Sequence, residues 1–60
     1  MTIRMIIKYV DGTSRKEEFS SLKDAKIKAR TTAFEDNVSR VKLFYTRITK
    51  DGVRCYSITY

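Results

Sequence analysis

Histidine, proline and tryptophan are absent from this chain, and cysteine occurs once, at Cys55. Each absence closes off a class of function. Without histidine, neither the Ser-His nor the Cys-His pair of nucleophilic catalysis can be assembled. A zinc ion would have to find four ligands among one thiol and scattered carboxylates, which does not suit its tetrahedral sites. One cysteine allows no intrachain disulfide, and an unpaired thiol suits a reducing compartment, so the expected location is the cytoplasm. Glycine occurs only at Gly12 and Gly52, each directly after an aspartate, so there is no glycine-rich phosphate loop. No apolar run approaches the roughly 20 residues that span a bilayer, and no membrane contact is expected. The start, Met1 to Ile7, lacks a signal-peptide core and cleavage site. With Met first and a strand-like run last, the chain is expected to be a complete small gene product.

What is present is a globular balance: 60 residues, 42% hydrophobic and 33% charged. So short a chain makes one domain, residues 1–60, with a small core. With disulfides and metals excluded as staples, good packing or a homodimer is expected to supply the stability. The net charge of +6 is unevenly spread. Residues 1–19 and 20–37 each carry four basic and three acidic groups. Residues 38–60 carry Arg40, Lys42, Arg47, Lys50 and Arg54 against Asp51 alone, which places +4 of the +6 in the C-terminal third. Such asymmetry bears on partners rather than on fold.

Hydrophobic periodicity predicts the order β-β-α-β-β. Ile3, Met5, Ile7 and Tyr9 alternate with Arg4 and Lys8, the period of a strand over 2–10. Asp11-Gly12 signals a hairpin into a polar strand over 13–19. A three-residue bulged loop would pair Tyr9 with Thr13 and Ile3 with Phe19, bringing Phe19 onto the Ile3/Met5/Ile7 face; a two-residue loop would send it to the other face. The bulged turn is preferred. Ser21, with Asp24 three residues on, opens a helix expected to reach about Asp36, with Asn37 as a left-handed terminator. Leu22, Ala25, Ala29 and Ala33 form its narrow inner stripe. Ile27 and Phe34 lie off that stripe, either as the margin of a wide buried face or as a second apolar stripe, with Lys23 and Arg30 beside them.

Residues 38–49 and 53–60 read as two further strands joined at Lys50-Asp51-Gly52. Apolar groups lie on both faces of this hairpin, so the pattern leaves its register open. A two-residue turn aligns Val41, Leu43 and Tyr45 with Tyr56, Ile58 and Tyr60; a bulged turn aligns Phe44 and Ile48 with them instead. The expected fold class is α+β, a four-stranded antiparallel sheet with one helix packed on one face. The other face must then be solvated, bound to a partner or buried in a dimer.

No constellation of side chains points to catalysis, and no cofactor is expected. Glu17 and Glu18 are strand neighbours that point to opposite faces, so they form no dyad. Glu35 and Asp36 sit at the expected helix C-terminus, against the macrodipole. Cys55 is expected as a small, half-buried strand residue; a reactive reading would need its thiolate tuned by Arg47 or Arg54. The leading expectation is a small non-enzymatic protein that binds nucleic acid, DNA or RNA, through the C-terminal hairpin. Arg40, Lys42, Arg47, Lys50 and Arg54 would meet phosphates, and Tyr45, Tyr56 or Phe44 would offer rings for stacking. The second is a regulator or inhibitor, of the kind carried by phages and mobile elements, that binds an acidic protein surface. It would use the sheet edge or the helix stripe, with Ile27 and Phe34 as anchors and Lys23 and Arg30 as rim.

Overall fold

The computed structural model describes residues 2–60 and contains four strands and a helix in the expected order. These are β1 (Ile3–Tyr9), β2 (Ser14–Phe19), α1 (Leu22–Ala33), β3 (Val38–Thr49) and β4 (Gly52–Thr59). The strands form one antiparallel sheet in the order β2-β1-β3-β4. Because β2 and β3 both pair with β1, the helix carries the chain across β1 from one side to the other.

The first hairpin takes the bulged form. Ile3 pairs with Phe19, and the Tyr9 amide donates to the Thr13 carbonyl at 2.9 Å. Gly12 supplies the positive φ of +92° that this loop demands. Asp11 locks the turn: its Oδ1 accepts from both the Thr13 amide (2.9 Å) and the Thr13 hydroxyl (2.6 Å). Those bonds favour the ionised carboxylate, and its pKa is lowered by the Thr13 hydroxyl first and the Thr13 amide second. Phe19 accordingly packs against the core.

That core lies between α1 and one face of the sheet. Ile3, Met5, Ile7, Val41 and Leu43 are buried beneath Ala25 and Ala29. The two alanines let the helix backbone lie close on the strands, and Thr32 joins them on the buried stripe. Each fully buried large apolar side chain contributes about 1.5–3 kcal/mol relative to exposure. A bulge in β3 completes the packing. Lys8 pairs with Arg40 but Tyr9 pairs with Val38, so Ser39 is an extra residue. Without it, even-numbered Val38 would face away from odd-numbered Val41 and Leu43. With it, Val38 also packs on the core.

The helix departs from expectation at its end. Ser21 caps the start, its hydroxyl accepting from the Asp24 amide at 3.4 Å. The helix stops at Ala33 with Phe34 as cap, three residues short of Asp36. Asn37 is not left-handed, since no residue other than glycine has positive φ. The cause is local: β-branched Thr31 and Thr32 are poor helix formers, and the Thr31 hydroxyl donates back to the Ile27 and Lys28 carbonyls. The Phe34 and Glu35 amides then close onto the Thr31 and Thr32 carbonyls in tighter i→i−3 bonds. Glu35 and Asp36 therefore lie beyond the cap, in the turn. The Asn37 carbonyl accepts from the Val10 amide at 2.9 Å, tying the first hairpin to the start of β3.

The second hairpin closes through two residues, Lys50 and Asp51, one position earlier than an Asp51-Gly52 turn. Thr49 pairs with Gly52, Tyr45 with Tyr56 and Leu43 with Ile58. This aligns the two sets that a two-residue turn requires and excludes the bulged alternative. Tyr45, Tyr56, Ile58 and Tyr60 consequently share the helix side of the sheet. β3 and β4 run on past the start of β1, and the molecule measures 41 × 20 × 15 Å along its principal axes. Among the described residues, no helix is long and apolar enough to cross a membrane.

Candidate nucleic-acid interface

Strand parity places the candidate side chains. On β1 the buried residues are Ile3, Met5 and Ile7, so Arg4, Ile6 and Lys8 point to the uncovered face. Cross-strand pairing extends that face in rows. One row runs Glu18, Arg4, Phe44, Ser57; the next runs Lys16, Ile6, Lys42, Thr59; the third runs Ser14, Lys8, Arg40. Successive rows lie about 6.6 Å apart, two residues along a strand. Five cations, Arg4, Lys8, Lys16, Arg40 and Lys42, thus share one sheet face with a single acid, Glu18.

Among the described residues, none of the five forms an ion pair. The two ion pairs present lie elsewhere: Arg15 with Glu17 at 3.3 Å on the helix side, and Arg54 with Asp51 at 3.7 Å at the hairpin tip. Ile6, half-buried, sits in the middle of the face with Lys16 and Lys42 as its two neighbours. Phe44 is the one aromatic ring on this side, 38% exposed. Where the second hairpin continues past the start of β1, a shallow cavity of about 370 Å³ is lined by Thr2, Arg4, Phe44, Thr46 and Cys55, with Tyr45 and Tyr56 behind.

The residues expected as one interface are divided between two surfaces. Arg40 and Lys42 belong to the open face. Arg47 and Arg54 are cross-strand partners on the helix side, past the end of the sheet where the helix starts, and Lys50 occupies the turn. Tyr45 and Tyr56 are on that same side and stack on each other, ring centres 5.4 Å apart and planes 18° from parallel. The Arg47 guanidinium lies 5.9 Å above the Tyr45 ring. Three cations that sequence reasoning left out, Arg4, Lys8 and Lys16, complete the open face. The alternation of β1 held the signal for Arg4 and Lys8: they had to point away from Ile3, Met5 and Ile7.

Cys55 is exposed, not half-buried, because it lies on the outermost strand and on the uncovered face. Arg47 and Arg54 point to the opposite face from it, so neither is placed to tune its thiol. On the helix, Ile27 and Phe34 form a second, exposed stripe, 54% and 83% accessible, with Lys23 and Arg30 also exposed. No protein-family model, curated protein or solved structure matches this chain.

Proposed function

We propose that this is a non-enzymatic nucleic-acid-binding protein that engages the phosphate backbone through the open face of its sheet. One observation carries the reading: five cations and one acid on a single uncovered face, with no ion pair among the described residues to satisfy any of the five. Arg4, Lys8, Lys16, Arg40 and Lys42 are the phosphate contacts. Phe44, beside Arg4, is the stacking ring. A flat face with one accessible ring favours single strands, whose bases are free to stack, over duplex. Arg47, Lys50 and Arg54 at the hairpin tip add a further cationic element.

The test is a titration of fluorescent single- and double-stranded oligonucleotides over a range of salt. Five phosphate contacts to a single strand give a log-log salt slope of about −3.5, and Arg40→Ala with Lys42→Ala reduces it by about 1.4. No binding at low salt refutes the reading.

The exposed Ile27 and Phe34 favour a second reading, a regulator or inhibitor that docks a protein partner on α1. Phe34→Asp would then abolish capture of that partner while leaving oligonucleotide binding intact.

A further inference from the structure

The two edges of the sheet are built differently. β2, at one edge, holds Arg15, Lys16, Glu17 and Glu18 among its six residues, a density of charge that discourages pairing with another chain. β4, at the other, runs eight residues with Arg54 as its single charge, no proline, and a register to β3 without a bulge. Apart from Arg54, whose side chain lies on the helix side, none of the usual devices protects it.

Its backbone is also aimed outward in an orderly way. The Tyr60 amide donates to the Val41 carbonyl at 2.8 Å, so the even-numbered residues of β4 bond inward to β3. Val53, Cys55, Ser57 and Thr59 therefore direct their amides and carbonyls to the free edge. All four side chains lie on the open face, and Val53 is 67% exposed.

We infer that β4 pairs with β4 of a second copy of this chain, antiparallel, to give one continuous eight-stranded sheet. A single two-fold register uses all four outward residues: Val53 opposite the partner's Thr59, and Cys55 opposite the partner's Ser57. Tyr56 then sits on the axis opposite the partner's Tyr56, extending the Tyr45–Tyr56 stack across the junction. Arg54 faces the partner's Ile58, so the one charge on the strand meets no like charge. The two-fold axis, perpendicular to the sheet, puts both helices on one side and both basic faces on the other, as one doubled cationic surface. Under two-fold symmetry every outward amide and carbonyl of β4 finds a partner in the same strand and Arg54 meets an uncharged residue, and this self-matching argues for a second copy as the occupant.

The experiment is sedimentation equilibrium across protein concentration, without nucleic acid, coupled to amide exchange read residue by residue. The dimer is expected, with the amides of Val53, Cys55, Ser57 and Thr59 becoming protected as concentration rises. Ser57→Pro deletes an outward amide while sparing the β3–β4 ladder, so it keeps the monomer's circular dichroism and weakens dimerisation about tenfold or more. A monomer at every concentration overturns the inference. So does a dimer in which those four amides exchange freely, since it would be joined elsewhere. Neither readout depends on whether the open face binds nucleic acid.

Discussion

Lys8 and Arg40 are direct cross-strand partners on β1 and β3, two cations on the open face with only Ser14 beside them in their row. Like charges placed opposite each other on a sheet oppose folding by about 0.2–1 kcal/mol. The pairing costs the isolated protein stability, and under the proposed function a polyanion lying across it would relieve that cost. Lys8→Glu is therefore expected to move two measurements in opposite directions. Its urea midpoint rises, by an amount equivalent to a few tenths up to about 1 kcal/mol, while its affinity for oligonucleotides falls. A variant that loses both would place Lys8 in the fold rather than the interface.

The Asp11 turn gives the protein an acid-sensitive element. Its carboxylate pKa is lowered in the folded state by the Thr13 hydroxyl and amide. A depressed folded value means stabilisation that is complete above the unfolded pKa, near 4, and lost as pH falls through the folded value. Urea midpoints measured from pH 6 down to pH 2 should fall at the acid end. Asp11→Asn should flatten that fall while lowering the midpoint at pH 6. An unchanged acid slope in Asp11→Asn would assign the sensitivity to other carboxylates.

Gly52 has φ of +120°, outside the region that side chains readily adopt, although a methyl group there would touch nothing within 4 Å. The cost of Gly52→Ala is thus backbone strain alone, about 1–3 kcal/mol. Chemical denaturation measures it. Exchange at the amides around Lys50 and Asp51 should quicken, leaving those of β1 and β2 slowed by their ladder as before.

Ala29 is wholly buried between α1 and the sheet. Ala29→Leu forces extra methylene groups into a close helix-to-strand contact and should destabilise by about 1–3 kcal/mol. Exposed Ile27, two residues away on the outward stripe, should accept Asp within about 0.5 kcal/mol. The contrast between these two positions, read from urea curves, tests the rotational setting of the helix directly.

That setting was legible from Leu22, Ala25 and Ala29, because three small or apolar residues at helical spacing define an inner face. The order of elements and the first register were legible too, since only the bulged turn lets Phe19 reach Ile3. The second hairpin was not. Apolar residues on both of its faces made alternation uninformative: Val41 and Leu43 under the helix bring Tyr45 to that side in either register, and it is the two-residue closure at Lys50 and Asp51 that brings Tyr56 beside it. The open basic face was half legible. Charge counted along the chain located Arg40 and Lys42, but the sheet brings Arg4, Lys8 and Lys16 beside them from strands remote in sequence. The shortened helix was hidden because its end depends on the Thr31 hydroxyl turning back on its own carbonyls.

The contrast between the β2 and β4 edges has a consequence for how far association can go. A sheet bare at both edges propagates into a fibre, and a sheet guarded at both remains solitary. One edge of each kind gives the molecule a valence of one. When β4 is satisfied by its own kind, the product presents β2 at both ends, and charged residues stop further growth. The size of the assembly is then written into the composition of two short strands rather than set by concentration alone, and exchanging the charges of β2 for the singly charged pattern of β4 would turn a self-terminating pair into a polymer.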